Sequence, residues 1–310
     1  RGVLLLLKYI LKRLLYLIPV LIGIVFIVFT IMYLSPGDPA KLILGDRAPQ
    51  EQVDALRQEL GLDLPYLQQF WNYIKGLLQG DFGTSYQLRL PVWDVLKLRF
   101  PLTLQLTVLT MLFAVVIGMP IGILSAVKQY SVLDACSVVF ALLMASIPAF
   151  WLGMLLMLLF SLTLGWFPSS GYEGLRWLIL PAITLGCINC ATIMRMTRSS
   201  MLEVVRQDFI RTARAKGAME KRVIFRHALK NALIPVITVV GNAFGASLAG
   251  AVVTETVFGL PGMGTQIVTS IRQKDNPVVL ASVILIAVAF SLVNLIVDIL
   301  YTYVDPRIRT

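Results

Sequence analysis

Long apolar runs separated by short polar breaks set the layout of this chain. Residues 14–34, 102–127, 132–164, 178–194, 233–258 and 278–303 are each predominantly apolar and long enough to cross a bilayer as a helix. The pattern therefore predicts six spans. Pro19 removes a backbone N–H from the first and predicts a bend there. Gly118, Pro120 and Gly122 near one end of the second predict a close helix contact or a bend. Ser146 to Trp151 falls in the middle of the third, and Gly241, Gly245 and Gly250 predict close backbone approach along the fifth.

Residues 35–101 form the one long polar segment between spans. Within it, 49–60 reads as a helix: Pro49 stands in its first turn, Glu51 and Asp54 near its positive end, and Gly61 just past its close. A second helix is expected over 65–80, with Leu67, Trp71, Ile74 and Leu78 along one side and Phe70 and Tyr73 beside them. Such an aromatic helix either lies at the lipid–water boundary, packs on the mouth of the protein, or receives an external partner. Residues 81–85 read as a turn, and 166–176 and 259–277 as loops on the same side.

Composition agrees with this layout. The chain is 57% apolar and 14% charged, whereas soluble domains run about 25% charged. A net charge of +10 would suit a nucleic-acid partner, but most Lys and Arg fall on one side of the expected spans, so nucleic acid is excluded. By the positive-inside bias that side is cytoplasmic, with both termini on it. Cys187 and Cys190 make a lone C-x-x-C without a second pair, and with Cys136 read as small apolar helix residues. No G-x-x-x-x-G-K-[ST] phosphate cradle, metal cluster or nucleophile elbow occurs, so the chain reads as a non-enzyme that binds no cofactor.

The most informative stretch is the basic segment 196–232 between the fourth and fifth spans. It carries Arg211, Arg214, Lys216, Lys221, Arg222, Arg226 and Lys230. Met201, Leu202, Val205, Phe209 and Ala213 follow helical spacing and predict one apolar stripe, with Gln207, Arg211 and Arg214 opposite. Gly217 suits a helix C′ position, and a second short helix is expected over 219–229, with Pro235 near the start of the next span. Taken alone, this is either a solvated loop that sets topology or a docking knuckle for a soluble partner.

Arg211-Thr-Ala-Arg-Ala-Lys-Gly217, followed by His227-Ala-Leu-Lys-Asn231, resembles the coupling loop of ABC-importer permeases in its dipeptide/oligopeptide/nickel branch. Ser35-Pro-Gly-Asp-Pro39, Gly61-Leu-Asp63 and Gly80-Asp-Phe-Gly83 are similar to one subunit of that branch's unlike pair. The resemblance implies an all-α polytopic protein of a bacterial inner membrane, with six transmembrane helices in the type I importer architecture and a helical external insertion after the first span. Segments 1–100, 101–303 and 304–310 would be the first span with the insertion, the five-helix core, and a cytoplasmic tail. It implies ATPase contact by Asp208, Phe209, Arg211, Thr212, Ala213, Arg214, Ala215, Lys216, Gly217 and His227. It also implies a second permease, two cytoplasmic ATPase subunits or domains that use ATP and Mg, and an external solute-binding protein.

Polar residues inside spans are candidates for a solute path. Asn189, Asn242, Glu255, Asn294 and Asp298 qualify, and Ser146, Asn242, Gly245, Ser247 and Glu255 are the expected lining. Asn242 and Ser247 serve equally as bonds between helices, and Glu255 and Asp298 lie where interfacial water is in reach. An ion-coupled secondary transporter is the alternative; it would carry titratable midplane groups and an internal repeat. A membrane scaffold without a solute path is the third reading.

Overall fold

The computed structural model describes residues 2–45 and 47–304, with the side chains of 2–10, Leu14 and 300–304 outside that description. The expected tail, including residues 305–309, lies outside the described residues. Among the described residues five helices are long and apolar enough to cross a membrane, or six where a bent helix pair counts as one span. The contacts group into two units, to both of which three of the long helices contribute.

One unit holds Leu11–Thr103 and Pro261–Ala289. Helix α1, Gly2–Leu34, contains Pro19. A short helix absent from the sequence expectation follows, α2 at Pro39–Leu44. Its start signal was legible: Asp38 caps the Ala40 N–H at 3.0 Å, and Pro39 occupies the first helical position. Helix α3, Gln50–Glu59, returns Arg57 to the same carboxylate in two bonds of 2.6 and 3.0 Å. Gly61 then ends α3 at φ +65°, with the Leu62 N–H on the Arg57 carbonyl. Helix α4 covers Tyr66–Leu78. Its expected side divides: Ile74 joins Tyr66, Phe70 and Tyr73 against Val25, Phe29 and Leu280, whereas Leu67, Trp71 and Leu78 are exposed.

Helix α5, Val92–Val127, begins ten residues before the expected Leu102 and runs through the expected boundary at residue 100. Val92, Val95 and Leu96 are buried against Met263, Val278 and Ala281, and that packing carries the helix back beyond the expected start. The last two elements were read partly as loop: α12, Met263–Arg272, precedes α13, Asn276–Val304. The Met263 N–H donates to Thr103 Oγ1 at 2.8 Å. Asp275, between α12 and α13, accepts from Ser85 Oγ and from the Tyr86 N–H, fixing the 81–91 turn.

The other described unit holds Leu104–Leu260 and the chain from Phe290 onward. The expected third span is two helices, α6 (Val132–Ser146) and α7 (Ala149–Leu156), the latter continued by a π-helical turn at Met157–Thr163, with a 106° bend between the halves. The cause is local: Pro148 forces Ile147 into extended backbone, φ −87° and ψ 125°. Helix α8, Ile179–Val205, is the centre of the unit and packs on α6 and α7. It also continues eleven residues past the expected end at Met194.

Glycines on α5 let it lie directly on α8. A Cβ on Gly118 would sit 2.8 Å from the Cys190 carbonyl oxygen, and one on Gly122 2.6 Å from that of Met194. The contact reading of these glycines therefore holds. Cys187 and Cys190 are free thiols on α8. A partly buried ion pair ties α6 to the same helix. Arg198 grips Asp134 in two bonds of 2.6 and 2.9 Å, and Asp134 also accepts from Ser125 Oγ and the Tyr130 N–H.

Asp134→Asn is expected to destabilise the protein by roughly 3–5 kcal/mol, because it strands the partly buried Arg198. A double-mutant cycle with Arg198→Gln, followed by thermal unfolding, should show strong coupling between the two sites. Additive losses would show that the pair is not a unit.

Candidate coupling site

Beyond Val205 the chain breaks for two residues and starts helix α9, Asp208–Ala215. Glu220–Arg222 (α10), a π-helical turn at Val223–Ala228, and helix α11, Leu229–Val257, then form one unbroken rod. The expected separate helix over 219–229 is thus the opening of the next span, with Pro235 inside α11 rather than before it. No residue between Arg222 and Leu229 ends the helix; the π turn absorbs one extra residue of winding.

The break at Arg206–Gln207 changes one member of the expected stripe: Met201, Leu202, Val205 and Ala213 do line one cluster, with Gln207, Arg211 and Arg214 exposed, but Phe209 is not among them. A single helix through 201–213 would place Phe209 inward. Restarting at Asp208 instead leaves Phe209 exposed and buries Ile210 completely. Ile210 belongs to one buried cluster with Met201 and Val204 of α8, Ile123 and Ala126 of α5, and Val223, Ile224 and Ala228 of the rod. One short helix therefore shares, through Ile210 and the half-buried Ala213, a single apolar cluster with three long ones.

Gly217 takes φ +79°, as a C′ position requires. The Ala218 N–H reaches the Ala213 carbonyl at 3.2 Å and the Gly217 N–H reaches that of Arg214 at 2.9 Å, which together close the end of α9. Arg214 does not face away freely. It holds Glu220 in two bonds of 2.6 and 3.0 Å across the turn, and that hydrogen bonding raises its already high pKa. Arg211, Thr212, Ala215, Lys216, Lys221, Arg222, Arg226 and Lys230 are exposed. His227 is half-buried in the π turn, its carbonyl accepting from Asn231 at 2.9 Å.

A Cβ on Gly217 would meet nothing within 4 Å, so its substitution acts through backbone conformation alone. Valine there should cost about 1–2 kcal/mol and loosen the α9 turn, lowering transport per ATP hydrolysed. Asn, which tolerates φ > 0, should restore it. Equal transport per ATP in Gly217→Val and the parent would refute the argument.

The expected path residues do not share one surface. On α11, Asn242 is exposed, whereas Gly245 and Ser247 are buried. A Cβ on Gly245 would run into the Phe290 ring and one on Gly241 into Val297, while Gly250 has nothing within 4 Å and needs no close approach. Ser247 Oγ accepts from Asn189 Nδ2 at 2.9 Å, an α8–α11 bond. Glu255 is 0% exposed, so it does not reach interfacial water within this chain. Ser146 is exposed beside the bend of the third span, its hydroxyl on the Leu142 carbonyl at 2.9 Å.

Comparison with known proteins adds an independent line. Residues 118–310 match the family described as binding-protein-dependent transport system inner membrane component, and 6–107 match the N-terminal part of such membrane components. The glutathione transport system permease protein GsiC of Salmonella typhimurium is 47% identical over 303 residues, covering 98% of this chain and 99% of that protein. GsiC of Escherichia coli is 45% identical over the same length, with the same coverage. Among solved structures, an inward-facing MetNI methionine ABC transporter aligns with TM-score 0.59 at 19% identity, over 69% of this chain and 98% of that one. An amino acid ABC transporter crystallised with histidines aligns with TM-score 0.53 at 15% identity, over 68% and 94%. These two likenesses establish the fold.

Proposed function

Given that this chain belongs to the binding-protein-dependent transport system inner membrane component family and is a permease subunit of an ABC importer, we propose that α9 is where it receives force from a cytoplasmic ATPase. The observation that carries this reading is the burial of Ile210 among α5, α8 and the Glu220–Val257 rod. A push on the exposed side of α9, at Phe209, Arg211, Thr212 and Lys216, cannot be absorbed locally. It moves the ends of three membrane helices together.

In the assembly we propose, a second homologous permease supplies the other half of the path. Two ATPase subunits or domains dock on the α9 side, which is cytoplasmic, as are both termini. An external binding protein delivers the solute. ATP and Mg act in the ATPases; this chain's residues transmit the motion. The permease pair needs only two states separated by a few kcal/mol for differential ATPase contact to switch it. The relatives' name makes glutathione or a similarly small peptide the proposed cargo.

The test is uptake into vesicles holding the permease pair and its ATPases, with the binding protein outside, varying ATP and proton gradient independently. Accumulation of labelled glutathione or dipeptide that needs ATP and ignores the gradient supports the reading. ATP-driven uptake of neither solute would refute the cargo, and uptake that survives removal of all of α9's exposed charges would refute the docking site.

A further inference from the structure

We infer that α4 is embedded in the bilayer, at the leaflet where α1 ends, and that Leu67, Trp71 and Leu78 contact lipid. Sequence alone left this helix with three possible surroundings; its contacts decide between them. Tyr66 lies edge-on to Tyr33 with ring centroids 4.9 Å apart and meets Thr30 Oγ1 through its hydroxyl at 2.6 Å. Phe70 lies edge-on to both Phe26 and Phe29, at 5.4 Å from each. Phe26 stands eight residues before Leu34, the last residue of α1, which is roughly 12 Å along the helix axis. Tyr73 and Ile74 share a cluster with Val25, Phe29, Leu280 and Ile284. Ile284 lies eight residues inside α13 from its start at Asn276. The helix is therefore laid against two spanning helices at a depth well within their membrane-crossing lengths.

The exposed side chains of α4 sort in the same sense. Tyr66, Phe70 and Tyr73 face the spans. Leu67, Trp71 and Leu78 recur at the spacing of a neighbouring helix edge, and are 70%, 65% and 83% exposed. Gln68, Asn72, Lys75 and Gln79 occupy the remaining edge, also exposed. A helix with one protein-facing side, one apolar edge and one polar edge matches a position between bundle, acyl chains and water. Tryptophan with flanking leucines is the composition expected at that boundary. A soluble partner covering the helix would not require the apolar edge to sit at the depth of Phe26.

Spin labels placed singly at 67, 68, 71, 72, 78 and 79 in the assembled transporter in lipid nanodiscs test this, with Cys136, Cys187 and Cys190 replaced by alanine. Positions 67, 71 and 78 should relax faster with oxygen than with a water-soluble nickel chelate, and 68, 72 and 79 the reverse. Nickel access at all six positions would overturn the inference, and so would low access to both reagents at 67, 71 and 78, which means coverage by another protein. Unlabelled protein in brominated lipid gives a second reading. The fluorescence difference between parent and Trp71→Phe should be strongly quenched, and an unquenched Trp71 would also overturn it.

Discussion

Replacing Ile210 with aspartate is expected to abolish ATP-driven uptake while leaving the ATPases able to hydrolyse ATP. Burying the isoleucine side chain stabilises the seat of α9 by about 1.5–3 kcal/mol. A carboxylate at a position that is 0% exposed and surrounded by Met201, Val204, Val223 and Ala228 has no partner and costs several kcal/mol. The aspartate therefore leaves the cluster and α9 swings free of the helices it should move. A net change of about 3 kcal/mol corresponds to roughly a hundredfold shift in the seated population, and uptake should fall accordingly. Ile210→Val, which keeps the cluster apolar, should retain most activity. Normal uptake by Ile210→Asp would show that α9 does not transmit force through this seat.

Gly122→Val should produce the largest structural defect. The added Cβ alone would lie 2.6 Å from the Met194 carbonyl oxygen and 2.7 Å from Thr197 Cβ. Main chain and a β-branched side chain leave nothing flexible to give way, so α5 and α8 must separate. Overpacking of this kind typically costs about 1–3 kcal/mol, and two more methyl groups worsen it. The expected result is a large loss of monodisperse protein in detergent. Gly23→Val on α1, where a Cβ meets nothing within 4 Å, serves as the matched control and should behave like the parent. Equal yields from the two variants would contradict the close α5–α8 contact.

Apolar run length was enough to place the spans, because a bilayer demands it irrespective of tertiary detail. Gly217 was equally legible, since only its position past a helical run mattered, and it takes φ +79°. The misses share a cause: small shifts of helical phase or direction that depend on packing. The two-residue break after Val205 exchanged Phe209 for Ile210 as the inward residue. The bend at Ile147–Pro148 was signalled by Pro148, but its 106° size was not. Residues 259–277 read as a loop, although Met263, Ile267 and Ile271 carry helical spacing through what is α12. The Asp134–Arg198 pair joins positions 64 residues apart, and nothing local marks it. The path candidates were chosen as polar residues in apolar runs, a rule that does not distinguish Ser247, bonded to Asn189, from exposed Asn242.

Whether the ATPase holds α9 is tested most directly by a photo-crosslinking residue at Arg211 of the assembled transporter. Arg211 is exposed on α9, and illumination should yield a nucleotide-sensitive adduct with the ATPase. The same residue at Gln79, exposed just beyond α4, should yield none. An ATPase adduct from position 79 with none from 211 would contradict the account.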